Sequence, residues 1–263
     1  MNRTRKTVAE LLALKGQKQF TMLHVKSLDD AAAAEAADID LLSIIDPLWT
    51  PAMRAAAPSC FVHVGLLYGQ LATFEDYLRA AHRTMEIGGD AVYCAASLDT
   101  ISRLRAEGIP VCGHTGLIPS RRTWTGGFRA VGKTSESAMF VYQQVKDLEQ
   151  AGAFAAEIEV VPERVATEIS KRTTILLLSM GAGAGCDGQY LFAEDVLGQS
   201  NGHVPRHAKT YRNFRAEYAR LQEERITAFR EFSADVAAGR YPAMEHMVSI
   251  ADDEFEAFRQ QLD

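Results

Sequence analysis

The chain lacks any uninterrupted apolar run of the roughly 18 residues that would signal a membrane-crossing helix, which argues against a spanning segment of that kind. It also lacks a basic excess. Lys and Arg total 28 against 34 Asp and Glu, a formal net charge of -6. The electrostatic footprint of a nucleic-acid-binding surface is therefore missing. Cysteine is scarce: Cys60, Cys94, Cys112 and Cys186 show no CxxC spacing, and three of them fall inside apolar runs. This usage predicts reduced core cysteines in a reducing compartment. The basic start, Met1 to Lys6, is not followed by the apolar stretch of a signal peptide, so a cytoplasmic location is expected. Nor does any linker or low-complexity segment divide the chain.

What is present is apolar material arranged with a rhythm. Of 263 residues, 47% are hydrophobic, and the length suits one barrel domain of roughly 250 residues. Thr7 followed by Glu10 reads as a capping box that opens a first helix. Strand-like runs are expected at 20–24, 41–45, 60–64, 91–94, 110–113, 154–159, 174–179 and 189–193. Helical patterns fall between them at 29–37, 74–87, 98–107, 135–150 and 162–170. Strands alternating with helices imply a parallel sheet, and about eight such units imply a closed (β/α)8 TIM barrel. One connection is unusual. Residues 46–59, between strands two and three, contain Pro47, Pro51 and Pro58, which leaves little room for a full crossover helix. The helix there is expected to be missing or shortened. The domain expected is a single barrel over 1–263, with a long, charged, amphipathic helical extension from about residue 211.

Three segments then carry a family resemblance. They are IPVCGHTGLIP at 109–119 with Gly126-Gly127, AGAFAAEIEVVP at 151–162, and GAGAGCDG at 181–188. The last is followed by Gly202-His203-Val204-Pro205 and by Tyr241-Pro242 with Glu245-His246. In order and spacing, from about Cys60 to His246, the chain resembles the ketopantoate hydroxymethyltransferase (3-methyl-2-oxobutanoate hydroxymethyltransferase) family. The resemblance implies a barrel of the phosphoenolpyruvate mutase and isocitrate lyase type. It implies an aldol reaction in which a base forms the enolate of a 2-oxo acid, which then attacks a one-carbon unit carried by methylenetetrahydrofolate. Magnesium would hold the 2-oxo acid as a Lewis acid. Multi-subunit assembly is implied as well, so a homo-oligomer is expected.

Carried over residue by residue, the resemblance assigns the catalytic base to Glu159, at the C-terminal end of strand six, where barrel active sites are built. Alternatively Glu159 is a strand-end carboxylate paired with an arginine. His114 matches a histidine near the substrate, or else it fastens a loop. Asp46 matches the first metal-binding aspartate, but Pro47 stands where the family has a serine for the substrate carboxylate; a turn aspartate is the other reading. The second aspartate position is Gly65, which has no ligand atom. His63, two residues earlier on the same strand face, is deeper; it is a replacement ligand or an interior hydrogen-bonded histidine. After strand four, Tyr93 replaces a lysine and Ala95 a glutamate. Metal binding is therefore expected to be weak or lost. Arg121, Arg122 and Arg129, in the loop 120–133, are candidates for carboxylate binding in its place, because the guanidinium fork suits planar anions; a solvated loop or a subunit contact is the bland reading. The glycine-rich run after strand seven is an anion loop or simply a tight turn.

Three functions follow from these residues. The first is a hydroxymethyltransferase-like enzyme of 2-oxo acid chemistry with an altered site. The second is a metal-independent lyase or aldolase for another substrate, with Tyr93 and the loop arginines as electrophiles. The third is a non-catalytic homologue. A polar cavity holding Glu159, His114 and the loop arginines favours an enzyme, whereas a closed apolar face with Glu159 against an arginine favours the third.

Overall fold

The structure, a computed structural model, describes residues 4–202 and 204–262. His203 of the GHVP motif and the first three residues of the basic start lie outside the described residues. Two compact units result, Met1–Arg212 and Asn213–Asp263.

The first unit is a closed barrel of eight parallel strands in sequential order: β1 (Phe20–His24), β2 (Leu41–Ile45), β3 (Phe61–Gly65), β4 (Ala91–Tyr93), β5 (Val111–Gly116), β6 (Ala155–Glu159), β7 (Leu176–Met180) and β8 (Gly188–Phe192). Closure is made by β1 and β8, paired from Phe20↔Gly188 to His24↔Phe192. Successive side chains alternate between the barrel interior and the helix layer. On β6, Ala156 and Ile158 join the outer core with Val141, Val145 and Ile169, while Ala155 joins Phe20, Phe61 and Leu176 in the inner one. Helix α1 (Val8–Ala13) carries the expected Thr7–Glu10 capping box and buries Leu11 in that inner core. Nearby, Lys15 pairs with the buried Asp187 at 2.6 Å.

Outside the barrel run α2 (Leu28–Ala36), α3 (Pro51–Ala56), α4 (Phe74–Glu86), α5 (Leu98–Ala106), α6 (Ser135–Gln150), α7 (Glu163–Ser170) and α8 (Ala193–Val196). The proline-rich connection after β2 is shortened, as its sequence indicates. Pro47 opens a 3-10 turn, Asp46–Leu48, and Pro51 opens α3, six residues long, each at a helix start where the missing N–H costs nothing. Trp49 and Met53 are buried beside Ile44 and Val64, and the Trp49 indole N–H donates to Thr84 O at 3.2 Å.

A second short connection agrees with the tight-turn reading of the glycine run. Between β7 and β8 no helix forms; residues 181–187 return directly to the start of β8. The glycines make this possible. A Cβ on Gly183 (φ +88°) would lie 2.3 Å from Glu163 Cγ, and one on Gly185 would lie 1.9 Å from Thr167 Oγ1. The run thus lies flat against α7, which fits close packing better than the anion-loop reading. β5 also continues beyond the expected 110–113, to Gly116, because His114–Gly116 pair with Glu157–Glu159.

The second unit holds α9 (Phe214–Ala237), a 3-10 turn at Met244–His246, and α10 (Asp252–Arg259). None of the α9 residues is buried, and Tyr218, Phe229 and Phe232 are among its exposed apolar side chains.

Candidate active site

The strands' C-terminal ends surround a cavity of about 320 Å³. Strand alternation fills it: His24 from β1, Ser43 and Ile45 from β2, Gly65 from β3, Tyr93 from β4, His114 from β5, Glu157 and Glu159 from β6, and Tyr190 and Phe192 from β8. Tyr68 and Ser120 come from the loops after β3 and β5. Among the described residues, no lysine or arginine lines it.

His114 is the hub. Its Nε2 lies 3.0 Å from Leu117 O, and its Nδ1 lies 2.7 Å from Tyr93 Oη. A carbonyl can only accept, so in the neutral ring Nε2 carries the hydrogen and Nδ1 accepts from the Tyr93 hydroxyl. Glu159 Oε2 lies 3.3 Å from Nε2, yet it is buried with no hydrogen-bond partner. Its neighbour on the same strand face, Glu157, approaches His114 Nδ1 at 3.6 Å and His63 Nε2 at 3.5 Å.

The pocket's electrostatics follow from two buried carboxyls brought close together. Burial, and then Glu159, push the Glu157 carboxyl well above the ordinary carboxylate range. Burial and then Glu157 raise the Tyr93 and Tyr190 hydroxyls in the same way. Burial and then Lys26 lower His24 to about 4, which keeps that ring neutral at pH 7.

The residues singled out in the sequence divide into two groups. Glu159, His114 and Tyr93 meet in the cavity. Asp46, Arg121, Arg122 and Arg129 do not line it. Asp46 lies one residue past Ile45, and its carboxylate pairs with Arg83 of α4. Arg121 donates to Ala95 O at 2.8 Å and Ala96 O at 3.0 Å, and it lines a neighbouring cavity of about 230 Å³ that also touches His114. Arg122 and Arg129 are exposed, with Arg122 5.3 Å from the Phe128 ring. Glu157, His24, Ser43 and Tyr190 escaped the sequence reading. For Glu157 a signal existed: in AAEIE, residues 157 and 159 share one strand face by period-two alternation.

The positions to which the resemblance assigns magnesium do not supply its donors. That ion takes oxygen ligands, commonly one or two carboxylates with waters. Asp46 is engaged by Arg83, and Gly65 and Ala95 have no donor. Packing does not force the glycine, since a Cβ at Gly65 would meet nothing nearer than 3.8 Å.

Comparison with known proteins gives concordant matches. The profile of the ketopantoate hydroxymethyltransferase family matches residues 48–244. The chain is 34% identical to a 3-methyl-2-oxobutanoate hydroxymethyltransferase of Halalkalibacterium halodurans, over 94% of this chain and 95% of that one. It is 31% identical to the enzyme of that name from Thermotoga neapolitana, over 91% and 95%. Among solved structures, a phosphonomutase candidate from Burkholderia cenocepacia superposes with a TM-score of 0.54 at 10% identity, covering 85% of this chain and 99% of that one, a likeness of fold alone. Among the described residues, no helix is long and apolar enough to cross a membrane.

Proposed function

The chain belongs to the ketopantoate hydroxymethyltransferase family, and from that premise we propose that it is an enzyme that enolises a 2-oxo acid with an altered, magnesium-independent site. The observation that carries this reading is Glu159 Oε2, buried without a hydrogen-bond partner on a side chain that lines a mainly apolar cavity. Leaving a buried carboxylate oxygen unpaired costs free energy, and such a group is retained where a reaction uses it.

In this reading a Glu159 carboxylate oxygen takes the proton from the carbon beside the ketone, which requires an approach of about 3 Å. Tyr93 fixes the His114 imidazole through Nδ1, and Leu117 O takes the Nε2–H, which leaves the carboxylate oxygen 3.3 Å from that ring free to accept. The enolate oxygen is left to hydroxyl donors among the lining residues, of which Tyr190 and Ser120 are at hand, the Tyr93 hydroxyl being given to His114. Methylenetetrahydrofolate, the one-carbon donor implied by the resemblance, would enter as a second substrate after enolisation. The first half of the reaction can therefore be tested without it. The assay is deuterium exchange at C3 of 3-methyl-2-oxobutanoate, followed by NMR after metal removal. Glu159→Gln should slow exchange by about 10²–10⁴-fold. Undiminished exchange in the variant would remove Glu159 from the mechanism, and no exchange in the wild type with any 2-oxo acid would favour a non-catalytic binding role.

A second reading rests on the missing cations. A mouth lined by two carboxyls and several aromatic rings, with no lysine or arginine among its described residues, suits a less anionic carbonyl compound cleaved or joined by the same base. Exchange with a neutral ketone exceeding that with the 2-oxo acid would select this lyase or aldolase reading.

A further inference from the structure

Directly beneath the mouth, the barrel interior holds His63, Cys112 and Glu157, from β3, β5 and β6. Each is buried, and a ligand atom of each lies within 4.8 Å of the other two. Neither ring nitrogen of His63 has a hydrogen-bond partner, although the side chain is 1% exposed. An imidazole has at least one N–H donor and usually one acceptor, and burying both unpaired is rare in a folded interior. The sequence does not require a histidine there for packing, since the neighbouring interior positions on β3 are Phe61 and Gly65.

We infer that His63, Cys112 and Glu157 form a site for a zinc-class divalent transition metal in the barrel interior, at the floor of the mouth cavity. The donors argue for the class. Imidazole nitrogen and thiolate sulfur with one carboxylate oxygen match zinc and its cobalt(II) surrogate, whereas magnesium takes oxygen alone. The spacing between the nitrogen and oxygen donors fits as well. Metal bonds of about 2.0–2.3 Å place tetrahedral donors roughly 3.3–3.7 Å apart, and His63 Nε2 lies 3.5 Å from Glu157 Oε1. The charge balances in a dry interior: one dication against a thiolate, a carboxylate and a neutral imidazole sums to zero, so no net charge is buried. Without metal, burial holds the Cys112 thiol and the Glu157 carboxyl protonated, while it already keeps the His63 ring in the uncharged form that a metal requires. Binding would release the two acidic protons. Three protein donors leave a fourth position for water or another small ligand, and Glu157 also lines the mouth cavity above. This site is separate from Asp46, whose carboxylate pairs with Arg83.

The test uses the full chain, tag removed, stripped with a chelator and kept reduced. Cobalt(II) is titrated in and the near-ultraviolet thiolate-to-metal charge-transfer band is read; zinc is then added to displace it. The expected result is saturation at one cobalt per chain, bleaching by zinc, and a zinc-dependent rise in Tm. Cys112→Ala should lose the band and His63→Leu should lose saturable binding, while both still melt cooperatively without metal. Cys60, Cys94 and Cys186 supply the other thiols, so a band that survives Cys112→Ala would overturn the assignment. So would a wild type that shows neither the band nor the zinc shift, or a His63→Leu protein that binds as tightly as wild type. Should a variant fail to fold, wild type decides the matter: zinc-edge X-ray absorption of the zinc-loaded chain that shows one sulfur ligand with nitrogen and oxygen donors supports the site, and a shell without sulfur overturns it.

Discussion

Gly185→Ala should destabilise the barrel through one identifiable collision. The new Cβ would lie 1.9 Å from Thr167 Oγ1, 2.6 Å from its Cβ and 2.7 Å from its Cγ2. Rotating Thr167 about χ1 moves the last atom and the first, but its Cβ is held by the backbone of α7. The return segment or the helix must therefore shift. Forcing extra volume into a packed contact costs about 1–3 kcal/mol. At about 2–4 °C per kcal/mol for a domain of this size, Tm should fall by roughly 2–12 °C. Thr167→Gly removes the three atoms nearest the new methyl. A glycine inside α7 costs up to about 1 kcal/mol on its own, but in that background Gly185→Ala should cost under about 0.5 kcal/mol, giving a coupling of about 0.5–3 kcal/mol. Calorimetry and urea titration with an unchanged m-value would measure the cycle. A Gly185→Ala protein within 0.5 kcal/mol of wild type, or an equal loss in both backgrounds, would refute the close-packing account of the glycine run.

Asp46→Ala should change stability by less than about 1 kcal/mol, because its partner Arg83 is half exposed and such pairs are weak; magnesium added to the dialysed wild type should produce no saturable heat in calorimetry, and a tight equivalent lost in Asp46→Ala would contradict this. Glu149, which closes α6 onto Thr174, is raised by burial but lowered more by hydrogen bonds from Lys146 and Thr174, to about 2. A depressed carboxyl stabilises the fold above its ordinary value of 4.5 and loses that contribution as pH falls toward about 2, so the Tm gap between wild type and Glu149→Gln should be full at pH 7 and narrow below about 4.5; a constant gap from pH 7 to 3 would refute the assignment. The chain should assemble with itself, since α9 leaves Tyr218, Phe229 and Phe232 exposed, and light scattering at micromolar concentration should report an oligomer, a monomer being the contrary result.

The barrel was legible because its signal is repetitive. Eight β-runs separated by amphipathic stretches leave few alternative topologies, and the prolines at 47, 51 and 58 marked the short α3 in advance. The glycine run after β7 left an anion loop and a tight turn both open, since it announces conformational freedom without saying what it lies against. Only the packing on Glu163 and Thr167 explains it. Strand residues of the site could be placed from alternation alone: Tyr93, His114 and Glu159 converge because their strands do. Loop residues could not. Whether Arg121 reaches the mouth or the carbonyls of Ala95 and Ala96 depends on the path of the loop, which local sequence does not determine. Asp46 shows the same boundary, as one residue past the end of β2 is enough to aim its carboxylate at α4.

The entrance also determines how a charged molecule arrives. A chain of net charge -6 whose mouth offers Glu157 and Glu159 and, among its described residues, no lysine or arginine exerts no long-range pull on an anion. An anionic substrate reaches it by undirected diffusion against a weak opposing field. Salt damps such a field over about 10 Å at 0.1 M. Ionic strength would then leave kcat/KM level or raise it, whereas an entrance ringed by arginines loses its steering as salt is added. The sign of that slope separates a barrel that attracts its substrate from one that only receives it.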